Sequence, residues 1–440
     1  MGNLSDLVSH IRMPRMVEVR QKFPRPRIAD VGEELRRQLE ESGVKDRIRP
    51  GGEIAITGGS RGIANIALIL RETARFVREC GGRPFIIPAM GSHGGATAAG
   101  QVEILNALGI TEEYCECPIR ATMDTVLLGH TEPDGLPVYV DAYAVRADGV
   151  ILVGRIKPHP SFVGEVESGL AKMAVIGLGK QKGAALCHGL GMGNMSKNIK
   201  EIAEVIFRDG NVLFGVGLIE NAYDETSRIA VVEAERILEK EPALLREAYR
   251  NFPKISFPSY DVLLVEEMGK NISGAGMDTM IISRYTHDGI PKDPRQQMIC
   301  VLDLTGETHG NACGMGLVDV APRRFRDKVD FENTYPNLLT SRIFGSAKLP
   351  MIMQDDRSAI QAAIYGCTGI DYDNPKLIWM KNTLDISRLF ISEALWEEAE
   401  GIENVEIVGR PFDMEFRENG DLIRIDEREI ERKHENIVEM

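Results

Sequence analysis

The sequence is poor in the residues that mark several common classes of protein. Only seven of its 440 residues are cysteine, an odd number scattered at 80, 115, 117, 187, 300, 313 and 367. That fits a reducing, cytoplasmic compartment better than a disulfide framework. Cys115-Glu-Cys117 is too tightly spaced for a zinc knuckle and has no CxxC partner. No apolar run approaches the roughly 18 residues of a membrane span. The N-terminal stretch carries Asp6, His10, Arg12 and Arg15 without an apolar core, so a secretory signal is not expected. Basic residues are also in deficit, 52 Lys and Arg against 66 Asp and Glu, for a net charge of −14. Such a balance argues against nucleic acid or an anionic membrane as the main partner. It also means that an anionic substrate would need a local basic pocket.

What is present is a long α/β alternation. The length predicts two domains. Strand-like "EIAIT" is followed by the helix-like run "IANIALILRETARFVREC" and stopped by Gly81-Gly82. "PFIIPAM", a glycine-rich loop and "QVEILNALG" repeat the pattern, which implies a parallel sheet covered by helices. "TVLLGHTEPDGLPVYVDAYAV" reads as two strands around a Pro-Asp-Gly turn. "GVILVGRIKPHP" reads as a buried strand. A glycine-rich region, a helix over 196–207 and the strand "VLFGVGLIEN" come next, then a charged helix from about 230 to 250. Phe252-Pro253 and Phe257-Pro258 suggest a linker. Beyond it "YDVLLVEEMG", "QQMICVLDLTG" and "GLVDVAP" begin a second alternation, with helices near 336–343, 358–365 and 386–400. The expected class is α/β, with domains at 1–258 and 259–440, each a mostly parallel sheet flanked by helices, and an active site in the cleft between them. The tail after about 405 could return to the first domain.

"TGGSRGIAN" (57–65) resembles the glycine-rich turn of short-chain dehydrogenases, which bring backbone N–H groups to a phosphate. The chemistry of such enzymes also needs a Tyr-x-x-x-Lys pair on a helix. Only Tyr372 and Lys376 have that spacing, and Pro375 between them forbids a regular helix. The turn alone is a weak motif.

Histidines at strand ends are more specific. His93 lies in "MGSHGGAT", after a strand and before a helix, at the edge of a parallel sheet where ligands bind. His159 sits between two prolines in "GRIKPHPSF", and His188 opens the glycine-rich loop "GLGMGNM". His10, His130, His287 and His434 carry no such context, while His309 in "ETHGNACGMG" is a secondary candidate. Lys172, in "ESGLAKMAVIGLG", is a lone lysine among small and apolar residues. Burial there would depress its amine pKa and make it nucleophilic. Lys157, Lys180 and Lys182 read as ordinary surface charges, or else as the local positive charge that an anionic ligand requires.

The run His159, then Ser168-Gly169-Leu170-Ala171-Lys172, then His188 sixteen residues after the lysine, resembles the lactate racemase family of nickel-pincer enzymes. Upstream, Gly58-Gly59-Ser60-Arg61 resembles that family's Asp-x-x-Arg loop, and Gly91-Ser92-His93 its Gly-Thr-His loop. The resemblance implies a covalently held cofactor, a pyridinium mononucleotide with two thiocarboxyl groups and nickel. Lys172 would carry it, with Ser168 and Gly169 beside it, and His188 would ligate the metal. It implies that His93 and His159 are the acid–base pair and that Arg61 binds the substrate carboxylate. The implied reaction is racemisation or epimerisation of a 2-hydroxy acid through hydride transfer, histidine serving because it exchanges protons near neutrality.

The sequence also departs from the family. Gly58 replaces an aspartate, Gly94 follows His93 in place of an arginine, and three extra residues separate His159 from Lys172. The Tyr-Gln-x-x-Lys set of the second domain is missing, with Lys270, Asp278 and Arg284 of "MGKNISGAGMDTMIISR" as candidate substrate-binding substitutes. An isomerase acting on a larger or more polar hydroxy acid than lactate is therefore expected. The alternatives are another hydride-transfer reaction with the same cofactor, or a non-catalytic sensor of the same fold. The expected partners are the small-molecule substrate and the enzymes that make and load the cofactor, with homo-oligomerisation left open.

Overall fold

The computed structural model describes residues 4–285 and 294–428. His287 and His434 lie outside them. The chain divides into two units, Pro24–Phe252, and Met1–Phe23 with Pro253–Met440. Both are mixed α/β.

In Pro24–Phe252 the five-stranded sheet runs Arg83–Pro88, Glu53–Gly58, Gly149–Arg155, Val212–Glu220, Thr226–Glu233. The first four strands are parallel and the last is antiparallel. Alternation along each strand sends side chains to two faces. Ile54, Ile56, Ile86, Ile151 and Val153 pack on one side with Leu35, Leu39, Ile69 and Leu70, from helices Val31–Glu41 and Ile66–Glu79. Ala55, Phe85, Ile87, Val150 and Leu152 pack on the other with Leu170, Val175, Ile199, Ile202 and Leu244. Both faces are thus apolar, as parallel sheets require. Each such Leu, Ile or Phe contributes about 1.5–3 kcal/mol when fully buried. Helix Ile66–Glu79 buries residues 66, 69, 70, 73, 74, 76 and 77, the spacing of one helical face. Gly81, at φ +85°, ends it.

The other unit has an eight-stranded sheet in the order Met351–Met353, Val320–Pro322, Arg295–Val301, Ser259–Val265, Leu377–Met380, Arg388–Ser392, Met16–Gln21, Val405–Phe412. The first five strands are parallel and the remaining pairings antiparallel. Met16–Gln21, expected in the first domain, pairs here with Arg388–Ser392 and Val405–Phe412, because its own burial pattern supplies apolar Met16, Val17 and Val19 to that sheet.

Three elements differ from the sequence reading. Thr226–Glu233, expected to enter a helix, is a strand, and the helix begins only at Ile237. β-Branched Thr226, Ile229, Val231 and Val232 favour the sheet edge there. Arg388–Ser392 is likewise a strand, not the start of a helix over 386–400. After strand Pro137–Asp141, residues Ala142–Arg146 form a short helix, because Asp141 Oδ1 caps it, accepting from Tyr143 N at 2.7 Å and Ala144 N at 3.1 Å. Among the described residues no helix is long and apolar enough to cross a membrane.

Candidate active site

Arg61, His93 and His159 each follow the C-terminal end of one of three adjacent parallel strands, Glu53–Gly58, Arg83–Pro88 and Gly149–Arg155. Ligands bind at this edge in open parallel sheets. Leu105 fills the space beside Gly58, since a Cβ there would meet Leu105 Cδ2 at 2.8 Å. An aspartate at that position would have to displace it. At Gly59 a Cβ would lie 3.3 Å from Met173 Cε, so the Arg61 loop runs against the segment that bears Lys172. Its far end is tied down by Ala64 N, which donates to Glu220 Oε1 at 2.6 Å, while Glu220 Oε2 takes Arg155. Arg61 is exposed, yet partial desolvation and the neighbouring Arg155 hold its guanidinium below its ordinary pKa.

The His93 loop is held from beneath by Lys180, which corrects the reading of that lysine as a surface charge. Lys180 is completely buried. Its Nζ donates to Pro88 O at 2.5 Å and Gln101 Oε1 at 3.1 Å, and lies 3.1 Å from Asp141 Oδ2. Gln101 Nε2 in turn donates to Gly91 O at 2.9 Å and His93 O at 3.4 Å. Burial drives Lys180 down and Asp141 up, against their mutual attraction. Lys182, by contrast, is exposed, with its Nζ 4.1 Å from the Tyr139 ring centroid.

The His159 loop and the Lys172 segment are joined by Glu167. Its Oε2 accepts His159 N at 2.6 Å, and its Oε1 accepts Gly164 N at 3.1 Å and the Tyr249 hydroxyl at 2.9 Å. Lys157 N donates to Ser168 O at 3.0 Å, closing the loop. The His159 ring stacks on Phe162 at 4.2 Å, and Lys172 Nζ stands 5.9 Å from the same ring. Lys172 ends the short helix Leu170–Lys172, which continues as a π-helix over Met173–Gly177. Such π turns occur often at functional sites. Glu241, buried, fixes the start of this helix, its Oε2 accepting Ala171 N at 2.9 Å. Gly169 leaves room for that carboxylate, which any Cβ there would overlap.

Desolvation, Arg61 and Lys157 push the Lys172 amine down to about 7, against the pull of Glu167. A substantial fraction is therefore the free, nucleophilic amine near neutrality. His188 lies in the last turn of helix Lys180–Gly189. Burial and the charge of Lys172 lower its pKa, and its buried Nδ1 has no hydrogen-bond partner. A neutral imidazole with an orphaned nitrogen beside a desolvated lysine fits a metal-bearing, covalently attached group. Among the described residues no group of three or more His, Cys, Asp or Glu is arranged to hold a metal ion. Beyond it, Gly191 at φ +87° leads into helix Met195–Asp209, whose cap Asn194 makes no side-chain cap bond.

Residues 27–200 match the lactate racemase N-terminal domain. This span contains Arg61, His93, His159, Lys172 and His188. Among solved structures, the chain resembles the lactate racemase apoprotein from Thermoanaerobacterium thermosaccharolyticum, at 13% identity over 77% of this chain and 88% of that one, with a TM-score of 0.45. It also resembles a protein from Thermotoga maritima, at 14% identity over 68% and 74% of the two chains, with a TM-score of 0.47. No curated protein gives a significant match.

The candidates in the second unit are engaged within it. Arg284 is committed to Asp319, Leu317 O at 3.1 Å and Gln297 O at 2.8 Å. Lys270 Nζ donates to Gly274 O at 2.7 Å, and Asp278 Oδ1 accepts Met280 N at 2.9 Å. Sequence reasoning missed Glu167, Glu220, Glu241 and Asp141. Glu167 had a local signal, standing beside Ser168-Gly169, whereas the others act across long chain separations.

Proposed function

We propose that this chain is a racemase or epimerase of 2-hydroxy acids whose chemistry lies in the Pro24–Phe252 unit. The observation that carries the reading is the pairing of a desolvated Lys172 with the orphaned, uncharged His188, inside the span matched to the lactate racemase N-terminal domain. Lys172 would hold a nickel-pincer nucleotide through its amine and His188 would ligate the nickel, with Ser168 and Gly169 shaping the backbone just before Lys172. When bound, that group supplies a hydride acceptor.

The chain's own residues supply the rest. Arg61 offers a bidentate fork to the substrate carboxylate. Arg155 and Lys157 add positive charge around Arg61 and Lys172. This is the local basic region that an anionic substrate needs against a net charge of −14. His93 and His159 act on the substrate hydroxyl, and the Glu167 and Lys180 networks fix their loops. The substrate differs from lactate in this reading, because Leu105 occupies the space beside Gly58. The partners are the hydroxy acid and the enzymes that load the cofactor.

The test is chiral chromatography of single-enantiomer 2-hydroxy acids of graded side-chain size, incubated with loaded protein. Interconversion lost in Arg61→Ala supports the reading. No interconversion of any member by fully loaded protein would count against it.

A further inference from the structure

The two loop histidines are held through the same ring atom in opposite senses. His93 Nδ1 lies 2.6 Å from Met90 O. A carbonyl only accepts, so Nδ1 carries the hydrogen and the neutral ring presents its lone pair at Nε2. His159 Nδ1 lies 3.0 Å from Ser161 N. A backbone N–H only donates, so Nδ1 holds the lone pair and the neutral ring carries its hydrogen on Nε2. The second arrangement is rigid. Pro158 and Pro160 flank His159, Glu167 accepts its backbone N–H at 2.6 Å, and its ring is stacked on Phe162.

We infer that the two histidines are not interchangeable: His93 is the proton carrier, and His159 is a fixed hydrogen-bond donor through Nε2–H. The inference rests on the proposed hydroxy-acid chemistry for its substrate, and on the two ring contacts for its roles. In the forward step the hydroxyl O–H bond breaks and its electron pair stays on oxygen. The proton forms a new N–H bond at His93 Nε2. The resulting imidazolium keeps Nδ1–H on Met90 O, so the ring need not turn. The reverse step returns the proton from the same atom. His159 takes no proton in this cycle, because a hydrogen on Nδ1 would face the Ser161 N–H. It donates Nε2–H to the substrate oxygen instead. One base therefore serves both configurations at C2, where a symmetric two-base site would assign one histidine to each.

The first test needs neither cofactor nor turnover. Long-range ¹H–¹⁵N spectra of the imidazoles, recorded on the cofactor-free protein above the histidine titrations, distinguish the two tautomers. We expect Nδ1–H for His93 and Nε2–H for His159, assigned through His93→Gln and His159→Gln. The same tautomer in both, or the reverse pair, overturns the inference. The second test uses loaded protein. Glutamine keeps a donor near the Nε2 position but is no base, so His159→Gln should lose turnover of both enantiomers alike, by about tenfold. His93→Gln should lose about 10²–10⁴-fold with both, the usual contribution of a positioned acid–base group. A loss in His159→Gln as large as that in His93→Gln, with active wild type, would overturn the division of roles. Inactive loaded wild type would instead count against the proposed function, and the spectra would still decide the tautomers.

Discussion

Lys180 and Asp141 face each other at 3.1 Å with neither side chain touching solvent. Lys180 opens the helix that carries His188, and its ammonium grips Pro88 O, at the base of the His93 loop. One buried lysine thus links two parts of the candidate site. Removing either partner leaves an uncompensated buried charge, which costs about 3–5 kcal/mol. Lys180→Met and Asp141→Asn should each lose stability of this order in urea unfolding. The double variant Lys180→Met/Asp141→Leu should lose less than the sum of the corresponding single variants. Additive losses would show that the pair is not coupled.

Lys172 makes a prediction about pH. Its amine is pushed down to about 7 in the folded protein, well below the ~10.4 of an unfolded chain. The unfolded state therefore binds more protons between those values, and stability rises with pH across that window. The folded state bears the full cost of the charged amine below about pH 7. In the cofactor-free protein Lys172→Met should melt higher than wild type at pH 6, with the gap closing toward pH 10. A gap independent of pH would contradict the lowered pKa.

The same property is visible in reactivity. Labelling by an amine-acylating reagent in trace amounts, read by peptide mass spectrometry, should give Lys172 a rate profile with its midpoint near pH 7. Exposed Lys182 serves as the internal comparison. Coincident profiles would remove the argument that Lys172 is an activated nucleophile.

Gly169 should tolerate no side chain, because Glu241 occupies the space beside it while accepting Ala171 N. Gly169→Ala is expected to cost about 1–3 kcal/mol, the usual range for overpacking. It should also reduce loading at Lys172 more than a destabilised core variant of equal melting temperature, such as one at Leu39, does. Equal loading of the two would mean that this contact is only structural.

How much of this was legible in the sequence depended on distance along the chain. The loops of Arg61, His93 and His159 could be placed at strand ends because apolar runs stop at Gly58-Gly59, Gly91 and Pro158. Lys172 could be singled out because its neighbours are small and apolar. Lys180 was misread, since its partners Pro88, Gln101 and Asp141 lie far away in sequence and only the fold assembles them. The start of the helix read from about 230 was misplaced for a related reason, since residues 230–233 belong to strand Thr226–Glu233. Its charged residues suggested a solvated helix, yet pairing with Val212–Glu220 determines its conformation. Met16–Gln21 carried no signal that it belongs with a sheet formed almost 240 residues later and beyond.

The central claim is that Lys172 carries a nickel-bearing nucleotide, and intact mass with nickel analysis tests it most directly. Protein exposed to the enzymes that build the cofactor should gain a covalent adduct and about one nickel per chain. Lys172→Ala should gain no adduct, and His188→Ala should gain the adduct but retain little nickel. An unmodified mass and no nickel, under conditions that load a known lactate racemase, would contradict the account.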